Sequence, residues 1–133
     1  MKYSQATDYA LHAMCYLVAT APDNPVSVQQ LAEKLGVSQT YLSKMLTKLV
    51  KAGLIQSIPG ANGGYRLRRN REEITFLDVI HAIEGTASLF ECGLDHGSEC
   101  LIQQVVTEAE LQMEQYLKNK KIYELAGQFK GMG

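Results

Sequence analysis

Between residues 38 and 51 the chain gathers side chains suited to reading nucleic acid: Ser38, Gln39, Thr40, Tyr41, Ser43 and Lys44, with Lys48 and Lys51 further along. Glutamine can pair with adenine at two points, hydroxyls donate or accept, and lysine suits guanine or phosphate. The Tyr41 hydroxyl suits the sugar-phosphate backbone. A glycine-rich stretch follows, with Asn62 at its tip, then Tyr65, Arg66, Arg68, Arg69 and Arg71 at its base. Flexible tips of this kind reach the minor groove or the phosphates. A second group is redox- and metal-competent. It comprises the thiols Cys15, Cys92 and Cys100, and the pair Asp8 and His12, which stand four residues apart and so share one helical face. No Cys-x-x-Cys occurs, which excludes a standard zinc finger. A phosphate loop, a nucleophile elbow and a His-Glu-x-x-His motif are also missing, so no sequence feature supports an enzyme.

These side chains need elements to hold them. Leu11, Met14 and Leu17/Val18 fall on one face of residues 4–20, with Ala6, Ala10 and Ala13 between them, and predict an amphipathic helix. Pro22-Asp-Asn-Pro25 ends it in a loop. Ser27 offers an N-cap with Gln30 three residues on, a capping-box pattern before Val28, Leu31, Ala32 and Leu35, and Gly36 suits the helix end. Ser38 is a second N-cap, followed by Tyr41, Leu42, Met45, Leu46 and Leu49 at helical spacing and closed by Gly53. Two short helices joined by a glycine-containing turn predict a helix-turn-helix. Leu54–Ile58 and Tyr65–Arg68 read as strands around the turn-rich residues 59–64, a hairpin placed as a wing. Thr75 starts a further helix with Phe76, Val79, Ile80 and Ile83 inward and Gly85 at its end. Residues 86–98 lack periodicity and read as a loop.

From about Glu99 to Lys118, Ile102, Val106, Ala109, Met113 and Tyr116 recur at gaps of four and three, the seam of a coiled coil, widened by Leu101, Val105 and Leu117. A short helix around Ile122–Phe129 finishes the chain. The expected fold is mainly α with a small β-hairpin wing. A winged helix-turn-helix over residues 1–71 is followed over 72–133 by a connecting helix, a sensor loop and a long C-terminal dimerisation helix.

The 133 residues carry a formal net charge of −1. Residues 1–71 hold nine Lys/Arg against three acids, giving +6, and residues 72–133 hold four against eleven, giving −7. Such a swing suggests a polyanion-binding module joined to a part that avoids polyanions. No stretch approaches the roughly 20 apolar residues of a membrane span, and the start does not read as a signal peptide. Three scattered cysteines do not make a disulfide framework. A cytoplasmic setting is expected, with no membrane partner.

Thr7-Asp-Tyr-Ala-Leu11, Val28-Gln-Gln-Leu-Ala32, Ser38-Gln-Thr-Tyr-Leu42, Leu46-Thr-Lys-Leu49, Ala52-Gly-Leu54 and Gly60-Ala-Asn-Gly-Gly-Tyr-Arg-Leu67 resemble the Rrf-two family of bacterial winged-helix repressors and activators. That family includes iron–sulfur cluster, nitric-oxide and cysteine-metabolism regulators. The resemblance runs from Met1 to about Phe129. It implies a homodimer clasped by the last long helix, binding a palindromic operator in double-stranded DNA as a transcriptional repressor. Cluster-binding relatives often carry a basic residue just before the wing glycine, where this chain has Pro59, so two expectations stay open: a weaker minor-groove readout, or one that falls to Asn62 and Arg66.

Cluster-binding relatives also hold three cysteines in the loop before the dimer helix. Cys92 and Cys100 match two of them, and residues 93–99 supply no third. The resemblance places Asp8 where a relative's first helix supplies a ligand to the partner subunit, with His12 one turn on. Cys92 and Cys100 of one subunit, with Asp8 and His12 of the other, make a ligand set suited to a two-iron ([2Fe-2S]) cluster, since thiolates are soft anionic ligands for iron. His96 is a competing ligand, and Cys15 is expected to pack as a small hydrophobe. Three alternatives stay open: thiol redox sensing by Cys92 and Cys100 without metal, a small metabolite or partner protein as effector, and a winged-helix adaptor that binds protein instead of DNA.

Overall fold

A computed structural model describes residues 3–88, 93–94, 100–125 and 128. Its first helix, α1 (Gln5–Thr20), stops at Ala21, whose left-handed backbone (φ 38°) precedes Pro22. Ala10, Ala13, Met14 and Leu17 are fully enclosed, whereas Leu11 is only half-buried. The alanines are therefore the contact face and not the filler between larger residues. Their small side chains let α1 lie close to two later helices.

Helix α2 (Val28–Leu35) begins with the expected reciprocal box: the Ser27 hydroxyl accepts from the Gln30 amide at 3.1 Å, and the Gln30 side chain accepts from the Ser27 amide at 3.0 Å. Gly36, at φ 71°, ends it. Helix α3 (Gln39–Lys51) starts at Ser38, whose hydroxyl accepts from the Tyr41 amide at 3.1 Å, and buries Leu42, Met45, Leu46 and Leu49. Strands β1 (Ile55–Ile58) and β2 (Gly64–Leu67) pair antiparallel, Gln56 opposite Arg66 and Ser57 opposite Tyr65. Leu54, expected to open the first strand, goes into the core instead. A further pairing ties this wing to the turn before α2. Val26 and Tyr65 exchange both backbone hydrogen bonds at 2.8 Å. Gly64 makes the approach possible, since a Cβ there would stand 2.4 Å from the Val26 carbonyl oxygen.

Helix α4 (Phe76–Glu84) is opened by a second capping box, Thr75 with Asp78, and buries Val79, Ile80 and Ile83. Phe76 packs on the core from a half-buried position. Helix α5 (Leu101–Lys118) follows, with Cys100 at its N-cap. The chain then returns: Lys121 pairs with Thr75, and the Ile122 amide donates to the Ile74 carbonyl at 2.9 Å. Ile122 is fully enclosed, and a 3₁₀ turn occupies residues 122–125. One core thus draws on α1, α2 and α3 together with Ile74, Val79, Ile83 and Ile122. The architecture is a mainly helical winged helix-turn-helix carrying a long terminal helix. Most of the expected loop at 86–98, including Cys92 and His96, lies outside the described residues, as does most of 126–133. No helix among the described residues is long and apolar enough to cross a membrane.

Candidate nucleic-acid interface and sensor residues

Burying Leu42, Met45, Leu46 and Leu49 turns the opposite face of α3 outward. Gln39, Thr40, Lys44 and Lys48 are exposed there, Tyr41 is 38% exposed, and Ser43 is half-buried. Ser38 is exposed, and its oxygen accepts from the α3 backbone. Tyr41 is held edge-on by Tyr9 of α1, ring centroids 5.6 Å apart and planes at 89°. α1 therefore meets the first turn of α3 through this ring pair.

On the wing, Asn62 is exposed at the tip. Tyr65 is half-buried against the core, and its backbone exchanges hydrogen bonds with Val26. Arg66 is exposed opposite Gln56; with the Gln56 amide oxygen facing the guanidinium, it accepts from Arg66 Nε at 2.7 Å and Nη2 at 3.0 Å. The arginines at the wing base have different employments. Arg69 meets Asp78 at 3.5 Å. Arg71 donates from Nη1 to the Val18 carbonyl at 3.0 Å and lies 5.0 Å from the centre of the Tyr123 ring, closing the end of α1 onto the returning chain. Between the wing tip and α2 opens a cleft of about 710 Å³ lined by Asn24, Gln29, Gln30, Asn62 and Glu33 among others. No sequence pattern points to Asn24 and Gln29, because only the Val26–Tyr65 pairing brings them beside the wing.

Asp8 and His12 do share an exposed face of α1. The His12 Nδ1 lies 3.3 Å from an Asp8 carboxylate oxygen and 2.8 Å from the Asp8 carbonyl. Cys100 is half-buried, and its sulfur accepts from the Gln103 amide at 3.4 Å at the start of α5. Among the described residues, no three His, Cys, Asp or Glu side chains of one chain converge on a metal-sized site. Cys15 is buried, as expected of a small hydrophobe, and burial pushes its thiol up to about 11. A cluster absent from the sequence reading surrounds Glu84. Its Oε2 accepts from the Ser4 amide at 2.8 Å, from the Ser4 hydroxyl at 2.9 Å and from the buried Thr7 hydroxyl. The Thr7 hydroxyl and the Ser4 amide hold the Glu84 carboxyl below its usual range, against the opposing effect of burial, with the Ser4 hydroxyl and Lys48 adding to the lowering.

The seam expected along α5 divides between two faces. Val106 and Met113 are half-buried, with Met113 beside Tyr3, Leu77 and Ile80 of its own chain. Ile102 (68%), Ala109 and Tyr116 (63%) are exposed, and the neighbouring Leu101 (72%) and Val105 (71%) continue the apolar surface.

Residues 3–128 match the family model Rrf2, described as an iron-dependent transcriptional regulator. The chain is 34% identical over 105 residues to the HTH-type transcriptional regulator NsrR of Geobacillus kaustophilus (strain HTA426), covering 79% of this chain and 71% of that protein. Among solved structures it is similar to CymR (YrzC), the global cysteine regulator of B. subtilis, with TM-score 0.81 and 29% identity, covering 96% of this chain and 97% of that one. It is also similar to the oxidized form of Staphylococcus aureus CymR, with TM-score 0.75 and 32% identity over 95% and 96% of the two chains.

Proposed function

Because the chain belongs to the Rrf2 family of transcriptional regulators, and so is not an enzyme, we propose that it binds a palindromic operator in double-stranded DNA as a homodimer and represses transcription. The observation that carries this reading is the exposed row Gln39, Thr40 and Lys44 on α3, presented beside a wing locked to the same helix pair by the Val26–Tyr65 pairing. In this arrangement α3 enters the major groove, with Gln39, Thr40 and Lys44 at base edges. Ser38, Tyr41, Ser43 and Lys48 meet the flanking backbone. Asn62 and Arg66 follow the strand next to the wing, and Tyr65 holds that wing in place. The exposed apolar stripe of α5 supports the homodimer, which sets two recognition helices on half-sites about 34 Å apart.

Selection of operator from random duplex, followed by anisotropy titrations at several salt concentrations, tests the reading. A recovered palindrome and an affinity falling steeply with salt are expected. Equal retention of all sequences would overturn it.

For the signal, Cys92 and Cys100 of one copy with Asp8 and His12 of a second would hold a [2Fe-2S] cluster, which would supply a one-electron centre. The side-by-side, outward carboxylate and imidazole on α1 support the set, as does the match to a family described as iron-dependent. Through Cys100, such ligation would act on the first turn of α5, whose Gln103 amide the same sulfur now accepts from. Anaerobic reconstitution followed by iron analysis and a visible spectrum tests this; His12→Ala should lose the colour. Protein that stays iron-free leaves the metal-free readings, of which thiol oxidation is favoured by the similarity to a regulator solved in an oxidized form.

A further inference from the structure

Ser4 stands at the N-cap of α1, yet its hydroxyl does not cap its own helix. It donates instead to Glu84, the last residue of α4, which also accepts from the Ser4 amide and the Thr7 hydroxyl. One carboxylate oxygen therefore serves the opening turn of α1 from outside, where the unpaired amides and the helix dipole favour a negative charge. α1 packs against both α4 and α3, which also meet each other directly. Two residues after Thr7, Tyr9 reaches the other way and meets Tyr41 edge-on in the first turn of α3. No other pair of aromatic rings among the described residues makes such a contact, and Tyr41 is the aromatic side chain in the first turn of α3.

We infer that Glu84 is a positioning residue for DNA binding: by fixing the start of α1 through Ser4 and Thr7, it aims Tyr9 at Tyr41 and so sets the recognition helix in register with the base edges. The inference rests on the reading of α3 as the DNA-contacting helix. Glu84 itself touches no DNA in this scheme; Lys48, which that reading sets on the DNA backbone, lies within its electrostatic reach, so Thr7→Val, which keeps the Glu84 charge, is the decisive variant.

The experiment uses the full chain and a selected operator duplex, with affinity and its salt slope measured by anisotropy and folding checked by circular dichroism. Thr7→Val, which keeps the shape but removes the hydroxyl, should weaken operator binding roughly fivefold, the scale of one lost hydrogen bond, and Glu84→Ala should do so at least as much. Thr7→Val should keep the wild-type salt slope. Thr7→Ser, which keeps the hydroxyl, should bind as wild type. In a Tyr9→Leu background Thr7→Val should add nothing further, because the route to Tyr41 is already cut. Wild-type affinity in Thr7→Val and Glu84→Ala would overturn the inference alone. So would a full Thr7→Val effect persisting without Tyr9, which would mark a role in folding only. A wild-type chain that retains no operator would remove the DNA-binding reading beneath it, and this inference with it.

Discussion

Glu84 shows how a single carboxylate ties acid sensitivity to architecture. Its folded value lies below the ordinary glutamate value, so its contribution is complete above that ordinary value, about 4.3, and is lost as pH falls through the lowered folded one. The stability gap between wild type and Glu84→Ala should therefore hold at neutral pH and narrow as the pH is taken below about 4.3, as read by thermal melts from neutral into the acid range. An equal gap at both ends would mean that the hydrogen bonds do not depend on the charge. The two thiols differ in burial. Cys15 is enclosed and its thiol is pushed up to about 11, so it is almost wholly un-ionised at neutral pH, whereas Cys100 is half-buried at the start of α5. Alkylation of the native protein followed by mass spectrometry should label Cys100 well before Cys15. Faster labelling at Cys15 would show that α1 opens readily from the core.

At the scale of elements, the wing depends on two neighbouring backbones meeting where a side chain has no room. At Gly64, φ is 151° and a Cβ would stand 2.4 Å from the Val26 oxygen, so Gly64→Ala must push the wing off the turn before α2. A loss of about 1–3 kcal/mol in urea unfolding is expected. An unchanged midpoint would show that the Val26–Tyr65 pairing contributes nothing. The helix caps at Ser27, Ser38 and Thr75 could be read from the sequence because a cap and its partner lie three residues apart, and local chemistry decides them. The same holds for the exposed row on α3, since burying Leu42, Met45, Leu46 and Leu49 leaves only one face for Gln39 and Lys44. Contacts between distant segments stayed hidden. Examples are Glu84 with Ser4 and Thr7, Arg71 with Val18 and Tyr123, and Ile122 with Ile74, each joining residues more than forty positions apart. No period or spacing encodes such meetings, and the wing-base arginines, alike in sequence, are told apart only by what folds against them.

For the whole molecule, the charge division and the apolar face of α5 belong to one design problem. A chain with +6 in residues 1–71 and −7 in residues 72–133 can present a basic surface to DNA only if its acidic part faces elsewhere. Pairing through α5 would achieve that while doubling the basic surface along one duplex. The helix carries Leu101, Ile102, Val105 and Tyr116 each more than 60% exposed, a concentration of large apolar groups on a single helix that marks an interaction surface. Val106 and Met113 lie on the adjoining face, half-buried, with Met113 against its own chain, so the two faces are separable by mutation. Val105→Glu places a charge in the proposed interface and should convert the dimer to a monomer in sedimentation, with a large loss of affinity for a full palindrome and little change for an isolated half-site. Met113→Ala should instead lower thermal stability by loosening α5 from α4, with the dimer retained. If Val105→Glu sediments and binds the palindrome as wild type does, the exposed stripe is not the dimer contact, and the pairing surface must be sought on another face of the molecule.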